Sequence, residues 1–348
     1  MAARSICCVK QLAESPNLSS IPSNYVYHSD AAEISAAKFE ASIPIIDLSL
    51  LASQNPHLKL KAVHDLDQAC QQWGFFILVN HGVPEELIRG VIEAASEFFD
   101  LPEAEKPEFQ PENVLSRIRY GTSFNAATDN VFCWRDFVKV FVHPHFTCPD
   151  KPQSLRKLLP EYCERGRDVV TKLSKAISES LGLEETEMAT VLELSSSLQI
   201  FVANYYPRCP NPKAAMGILP HSDHGLFTLL VQNDVGGLQI QHDGRWLSVS
   251  APANSILVNT GDHLEIFSNG KYKSVLHRAV VNDQTTRISV ATANGPSLNA
   301  VVSPARQLVE AEGGAAAYAA MKYEDYLLEQ QSSQLDGKTM LKRVRIHQ

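Results

Sequence analysis

After about Ser197 the chain breaks into short alternating segments separated by turn signals, and no other feature limits the possible folds as much. The segments are Leu198 to Tyr206, Leu226 to Gln232, Gly237 to Gln241, Arg245 to Val249, Ser255 to Val258, Val275 to Val281 and Arg287 to Thr292. Asp243-Gly244 and Asn269-Gly270 offer the positive-φ pairs that two-residue hairpins require. Strands of this length and spacing predict an antiparallel double-sheet barrel of the jelly-roll or cupin kind, a double-stranded β-helix.

The preceding half has a different texture. Ile43-Pro44-Ile45-Ile46-Asp47-Leu48 reads as a strand. Val63, Leu66, Cys70 and Trp73 share one helical face, with Gly74 where a C-terminal cap belongs. Phe75 to Val79 is a buried strand. Pro84, Glu85 and Glu86 open a helix whose apolar stripe is Leu87, Val91, Ala95 and Phe98. A further helix is predicted from about Glu161 to Leu181, stopped by Gly182, and a last one over Gly313 to Gln331. The fold class is therefore mixed α+β, a jelly-roll core flanked by helices. Its expected divisions are a loosely ordered leader over 1–40, a helix-rich region over 41–197, the jelly-roll core over 198–302 and a helical segment over 303–348.

Charge and cysteine usage narrow the function. Among 348 residues, 31 basic and 39 acidic side chains leave a formal charge of −8, with no block of Lys and Arg. Nucleic acid is thereby disfavoured as a partner, because phosphate binding needs concentrated positive charge. No apolar run approaches the roughly 20 residues of a membrane helix. The seven cysteines are scattered without a CxxC pair, which suits reduced thiols. The expected protein is a monomer in the cytoplasm, with a plastid leader as the alternative, acting on a small molecule.

The chemistry concentrates in the β-rich half. In an extended His221-Ser222-Asp223, the imidazole and the carboxylate point to one face, while His224 points to the other. His277 follows 54 residues after Asp223 and offers a third ligand. Two histidines and one carboxylate with open positions make the facial triad of non-haem iron(II) oxygenases. Arg287-Ile288-Ser289 pairs a guanidinium fork with a hydroxyl two residues on, an anchor for a dicarboxylate. Val202, Asn204 and Tyr206 share one strand face, so amide and phenol can meet the same ligand, and Tyr205 on the opposite face packs.

The segments NYYPRCP, HSD, the later His277 and R-x-S resemble the plant branch of 2-oxoglutarate and iron(II)-dependent dioxygenases, which includes flavonoid, gibberellin and alkaloid hydroxylases. The stretches IPIIDLS, CQQWGFFILVNHGVP and Trp134-Arg135-Asp136 are similar to that family's N-terminal region, so the resemblance covers about residues 40 to 345. It implies iron(II) on His221, Asp223 and His277. It implies 2-oxoglutarate on Arg287 and Ser289, with Tyr206 assisting and Asn204 nearby. It further implies dioxygen as cosubstrate, ascorbate as reductant, and hydroxylation or desaturation of a plant metabolite such as a flavonoid, phenolic, indole or alkaloid.

The sequence departs from the family after R-x-S, where many members carry an aromatic residue that stacks on the substrate; here Ala293 stands in that stretch. The expected pocket is therefore drawn from Phe124, Trp134, Phe141, Val202 and Ala293, with Phe201 turned away by strand alternation. Trp134-Arg135-Asp136 reads equally as a packing contact or a pocket wall, while His81, Cys209 and a turn at Asp262-His263 read as structural. Two other classes stay open: a zinc hydrolase, since the same three ligands activate water on zinc, which offers no use for Arg287 and Ser289, and a catalytically silent small-molecule binder on the same fold.

Overall fold

The computed structural model describes residues 8–16, 18–28, 40–106, 115–124, 129–311, 313–333 and 337–346. Its first strands are β1 (Ile45–Asp47), β2 (Phe75–Val79), β3 (Ile118–Thr122), β4 (Asp136–His143), β5 (Ser197–Tyr206), β6 (Met216–His221) and β7 (Phe227–Gln232). They are followed by β8 (Leu238–His242), β9 (Arg245–Ser248), β10 (Ile256–Thr260), β11 (His277–Val280), β12 (Arg287–Ser297), β13 (Val301–Val302) and β14 (Met321–Lys322). Eight of them form a large sheet in the order β1-β2-β10-β7-β12-β5-β4-β3, and four form a smaller sheet, β6-β11-β8-β9. All pairings except β1 with β2 are antiparallel in these two sheets. The expected jelly roll is thus present, with helices packed outside it.

Helix α1 spans Val9–Glu14, α2 Pro56–Gln72, α3 Glu85–Asp100, α4 Gln153–Ser180 and α5 Tyr323–Ser332. Asn55 caps α2 by accepting from the backbone N–H groups of His57 and Leu58, and Pro56 fills the first helical position, where a missing N–H costs nothing. Gly74 ends the run at φ +59°; a Cβ there would lie 2.3 Å from the Lys273 carbonyl oxygen, so only glycine fits. On α3 the stripe of Leu87, Ile88, Val91, Ala95, Phe98 and Phe99 is buried in the main core. Each large side chain in it contributes about 1.5–3 kcal/mol. α2, α3 and α4 cover the outer face of the large sheet, which leaves its inner face to the smaller sheet and the cleft between them.

Several elements differ from the sequence reading. Helix α4 begins at Gln153 and runs through Pro160, which pattern alone takes for a boundary. Asp243-Gly244 does join β8 to β9, with φ of 48° and 73°. Asn269-Gly270 also has two positive φ values, but it ends the short buried helix Asp262–Phe267, with Gly270 N–H donating to the Glu265 carbonyl. It makes no hairpin, and Asp262 and His263 lie on that helix and not in a turn. Over Gly313 to Gln331 only α5 is helical; β14 precedes it and pairs with β13.

Within the expected loose leader, the described residues are packed. Val9 and Lys10 donate their backbone N–H groups to the two oxygens of Asp136, at 2.9 and 2.8 Å. Ile21 and Tyr25 are buried against Trp134 and Cys209. An apolar residue every few positions suffices for this docking and leaves no periodicity to read. The six described cysteines are free thiols, and no described helix is long and apolar enough to cross a membrane.

Candidate active site

His221 ends β6 and His277 begins β11, and the antiparallel register sets the two opposite each other. Asp223 lies two residues beyond the end of β6, and its carboxylate lies on the same side as the His221 imidazole. Asp223 Oδ1 is 3.7 Å from Nε2 of each histidine. One ligand atom from each of the three lies within 4.8 Å of the others, a spacing one ion can bridge, and among the described residues this is the one such group.

The surroundings prepare all three as ligands. His221 Nδ1 faces the Leu219 carbonyl at 2.8 Å and His277 Nδ1 the Val275 carbonyl at 3.1 Å. A carbonyl only accepts, so Nδ1 carries the proton and Nε2 presents its lone pair. Asp223 Oδ2 accepts from Thr228 Oγ1 at 2.5 Å and from Asn259 Nδ2 at 2.8 Å, which leaves Oδ1 for the histidine side. Burial, with His277 beside it, pushes His221 down to about 3, so its imidazole is neutral at pH 7. Burial alone raises Asp223, but His277, His221 and the Thr228 and Asn259 hydrogen bonds outweigh it and hold the carboxylate well below its usual range. The neutral His221 imidazole and the ionised Asp223 carboxylate bind a divalent ion without first losing protons. The donor set suits iron(II), and equally zinc.

The same cleft contains Arg287, Ser289, Tyr206 and Asn204. The register of β12 against β5 pairs Arg287 with Tyr206 and Ser289 with Asn204. Arg287 is buried, its guanidinium 4.8 Å from the Tyr206 ring centre. Its Nη2 donates to Gln232 Oε1 at 2.8 Å, whereas Nε and Nη1 find no partner among the described residues. Two buried N–H donors left open cost free energy unless an anion meets them. Gly217 lets the strands approach here, because a Cβ would lie 2.8 Å from the Tyr206 ring.

Of the expected pocket residues, Phe124, Val202 and Ala293 line this cleft. Trp134 and Phe141 do not. Trp134 is fully buried in an edge-on contact with Tyr25, whereas its neighbour Arg135 lines the cleft. Phe141 is buried in the main core, beneath Lys139. Phe201 faces away, packed on Tyr162, and Tyr205 packs on Phe99. Sequence reasoning missed Thr228, Asn259 and Gln331, which carry no local motif, and Arg119 and Lys139, which come from strands it did not place.

Comparison with known proteins decides the family. Residues 197–296 match the 2OG-Fe(II) oxygenase superfamily and residues 43–162 the N-terminal region described as non-haem dioxygenase in morphine synthesis. The "2-oxoglutarate-dependent dioxygenase 19" of Oryza sativa subsp. japonica is 43% identical over 94% of this chain and 97% of its own length. The chain belongs to the 2-oxoglutarate and iron(II)-dependent oxygenases. This oxygenase is also 37% identical to flavanone 3-dioxygenase 2 of Oryza sativa subsp. japonica, over 93% of the chain and 94% of the relative. Thebaine 6-O-demethylase of Papaver somniferum shares 35% over 97% and 95%. Among solved structures, JOX2 in complex with 2OG, Fe and JA superimposes with a TM-score of 0.87, at 30% identity and 98% coverage of both chains. The oxygenase is thus an iron(II)- and 2-oxoglutarate-dependent dioxygenase of the plant type.

Proposed function

We propose that this dioxygenase hydroxylates or desaturates a small plant metabolite, with iron(II) on His221, Asp223 and His277 and 2-oxoglutarate on Arg287, Ser289 and Tyr206. The observation that carries the reading is the pair of unpartnered N–H groups on buried Arg287, sharing one cleft with the three ligand side chains. A zinc hydrolase would have no use for that pair.

Iron(II) with 2-oxoglutarate supplies the oxidation: dioxygen is consumed, the keto acid leaves as succinate and carbon dioxide, and the substrate gains a hydroxyl or loses two hydrogens. His221 and His277 hold their proton on Nδ1 and offer Nε2. Thr228 and Asn259 occupy Asp223 Oδ2 and so orient the carboxylate. Arg287 meets the far carboxylate of the keto acid through Nε and Nη1, with the Ser289 hydroxyl and the Tyr206 phenol beside it. Asn204 Nδ2 donates to Ser289 Oγ at 3.4 Å and its Oδ1 accepts from Arg135 at 2.7 Å, so it positions the hydroxyl. Ala293, Val202 and Phe124 leave an apolar wall for the substrate. Ascorbate would keep the iron reduced, and the substrate would be a compound of the flavonoid, phenolic, indole or alkaloid kind.

Purified protein incubated with iron(II), 2-oxoglutarate, ascorbate and a plant metabolite extract should form succinate, and mass spectrometry should find features gaining one oxygen or losing two hydrogens. Iron-loaded protein that forms no succinate with any extract contradicts the proposal.

A further inference from the structure

The segment that follows α5 is tied to all three ligand-bearing stretches, and one lysine makes most of the ties. Gly337 pairs with His221 in a parallel bridge. Its N–H donates to the Pro220 carbonyl at 3.2 Å and its carbonyl accepts from Ser222 N–H at 3.3 Å, so the two bonds straddle His221. The next residue, Lys338, donates through Nζ to Glu265 Oε2 at 2.9 Å and to the Ser274 carbonyl at 2.7 Å. Ser274 stands three residues before His277 and gives its own N–H to Glu265 Oε2 at 2.7 Å. Glu265 belongs to the helix Asp262–Phe267, whose Asp262 N–H donates to the Asp223 carbonyl at 2.7 Å.

Glu265 is only 3% exposed, and a carboxylate withdrawn from water needs both a cation and hydrogen bonds. Lys338 supplies the charge, while Tyr318 and Ser274 supply hydrogen bonds at 2.7 Å each. Because its two acceptors lie on different segments, the ammonium also fixes how the approach to β11 stands against the helix behind Asp223. The residues beyond it hold independently, with Met340, Leu341 and Val344 buried in the main core. Loss of the ammonium would therefore leave the segment docked and release only the spacing of the ligand-bearing stretches. Metal sites lose affinity steeply when the groups that orient their ligands are removed.

We propose that Lys338 is a positioning residue for the iron site: through Glu265, the Ser274 carbonyl and the adjoining Gly337 bridge, it holds the segments of His221, Asp223 and His277 at the spacing one ion needs. This rests on the ligand assignment proposed above and adds to it a residue outside the cleft. Coupling of this kind is reciprocal, so if the Lys338 tie favours iron binding, iron favours the tie.

The test begins with the full wild-type chain. Anaerobic addition of iron(II) should slow backbone hydrogen exchange in peptides covering 337–346 by about fivefold or more beyond any slowing in peptides from α2. Lys338→Met should then weaken iron(II) binding about tenfold or more and shift the absorption band that iron(II) gives with 2-oxoglutarate. Lys338→Arg, which keeps the charge and its donors, should restore most of both. Lys59→Met, which deletes the ion pair with Glu179 on the outer helices, should keep full iron affinity. Thermal melting of the apoprotein checks that each variant is folded at the measuring temperature; where Lys338→Met is not, Lys338→Gln, which keeps a donor for the Ser274 carbonyl, replaces it. Unchanged iron affinity in the folded Lys338 variant, an equal loss in Lys59→Met, or no extra slowing of exchange over 337–346 overturns the assignment to Lys338 and leaves the three ligands standing. Wild-type protein that binds no iron(II) overturns the ligands, and the role of Lys338 with them.

Discussion

Two adjacent clusters of buried histidine and aspartate differ in what meets their lone pairs. In the cleft cluster, Asp223 Oδ1 lies 3.7 Å from Nε2 of both His221 and His277. In the rear cluster, Tyr326 donates to Asp262 Oδ2 at 2.7 Å, Tyr323 meets His224 Nδ1 at 2.7 Å, and His263 Nδ1 meets the His224 carbonyl. The rings of Tyr323 and Tyr326 stand edge-on to His263 at 4.7 and 4.6 Å. The backbone ties the two together, since Asp262 N–H donates to the Asp223 carbonyl at 2.7 Å. The same residue types therefore turn their ligand atoms towards one another where the tyrosines of α5 do not reach them, and pack where those tyrosines do.

The largest effect should come from the cleft side. His221→Ala should abolish succinate formation and iron(II) retention while the thermal melting transition persists; full turnover would break the distinction at its root. Next, Arg287→Leu removes the donors open to the keto acid. A charge-assisted contact of about 1.5–3 kcal/mol corresponds to about 10- to 150-fold in the 2-oxoglutarate concentration needed for half-maximal rate.

The rear cluster should answer in stability instead. Tyr326→Phe leaves the Asp262 carboxylate short of a donor and should cost about 1–3 kcal/mol of unfolding free energy, read from the urea midpoint, with iron(II) affinity kept. If iron affinity falls as far as in His221→Ala, the two clusters are not separable. The last effect vanishes at neutral pH and grows only as the pH falls. Burial pushes His263 down to about 3 from an ordinary value of 6.5. The folded state thus binds fewer protons than the unfolded chain between those values, so the stability His263 contributes is complete above pH 6.5 and falls as pH drops towards 3. Relative to His263→Gln, the wild type should lose up to about 1.4 kcal/mol per pH unit over that window in urea titrations.

What the sequence revealed follows from where the signal is local. His221-Ser222-Asp223, Arg287-Ile288-Ser289 and the run of short strands are readable because spacing of one to three residues carries them. β4 escaped notice because Lys139 interrupts an otherwise apolar run, and β3 because Arg119 and Gly121 leave its five residues without a strand pattern. With them went Arg119 and Lys139, which only cross-strand register brings together. Thr228 and Asn259 sit on β7 and β10 and reach Asp223 only through sheet order. Trp134 and Phe141 read from sequence as packing or pocket aromatics alike, whereas Trp134, just before β4, packs on Tyr25 and Phe141, on β4, lies in the main core. Asn269-Gly270 shows the same limit: the dipeptide demands positive φ, but what it joins is decided by the helix Asp262–Phe267 before it.

The central claim is most directly tested by anaerobic titration of iron(II) and then 2-oxoglutarate into wild type, His277→Ala and Arg287→Leu, followed by metal analysis and visible absorption. The account predicts one iron per wild-type chain and an absorption band that appears with 2-oxoglutarate. It predicts loss of the iron in His277→Ala, and retained iron with a weakened 2-oxoglutarate response in Arg287→Leu. Unchanged iron binding in His277→Ala, or an unchanged 2-oxoglutarate response in Arg287→Leu, would contradict it.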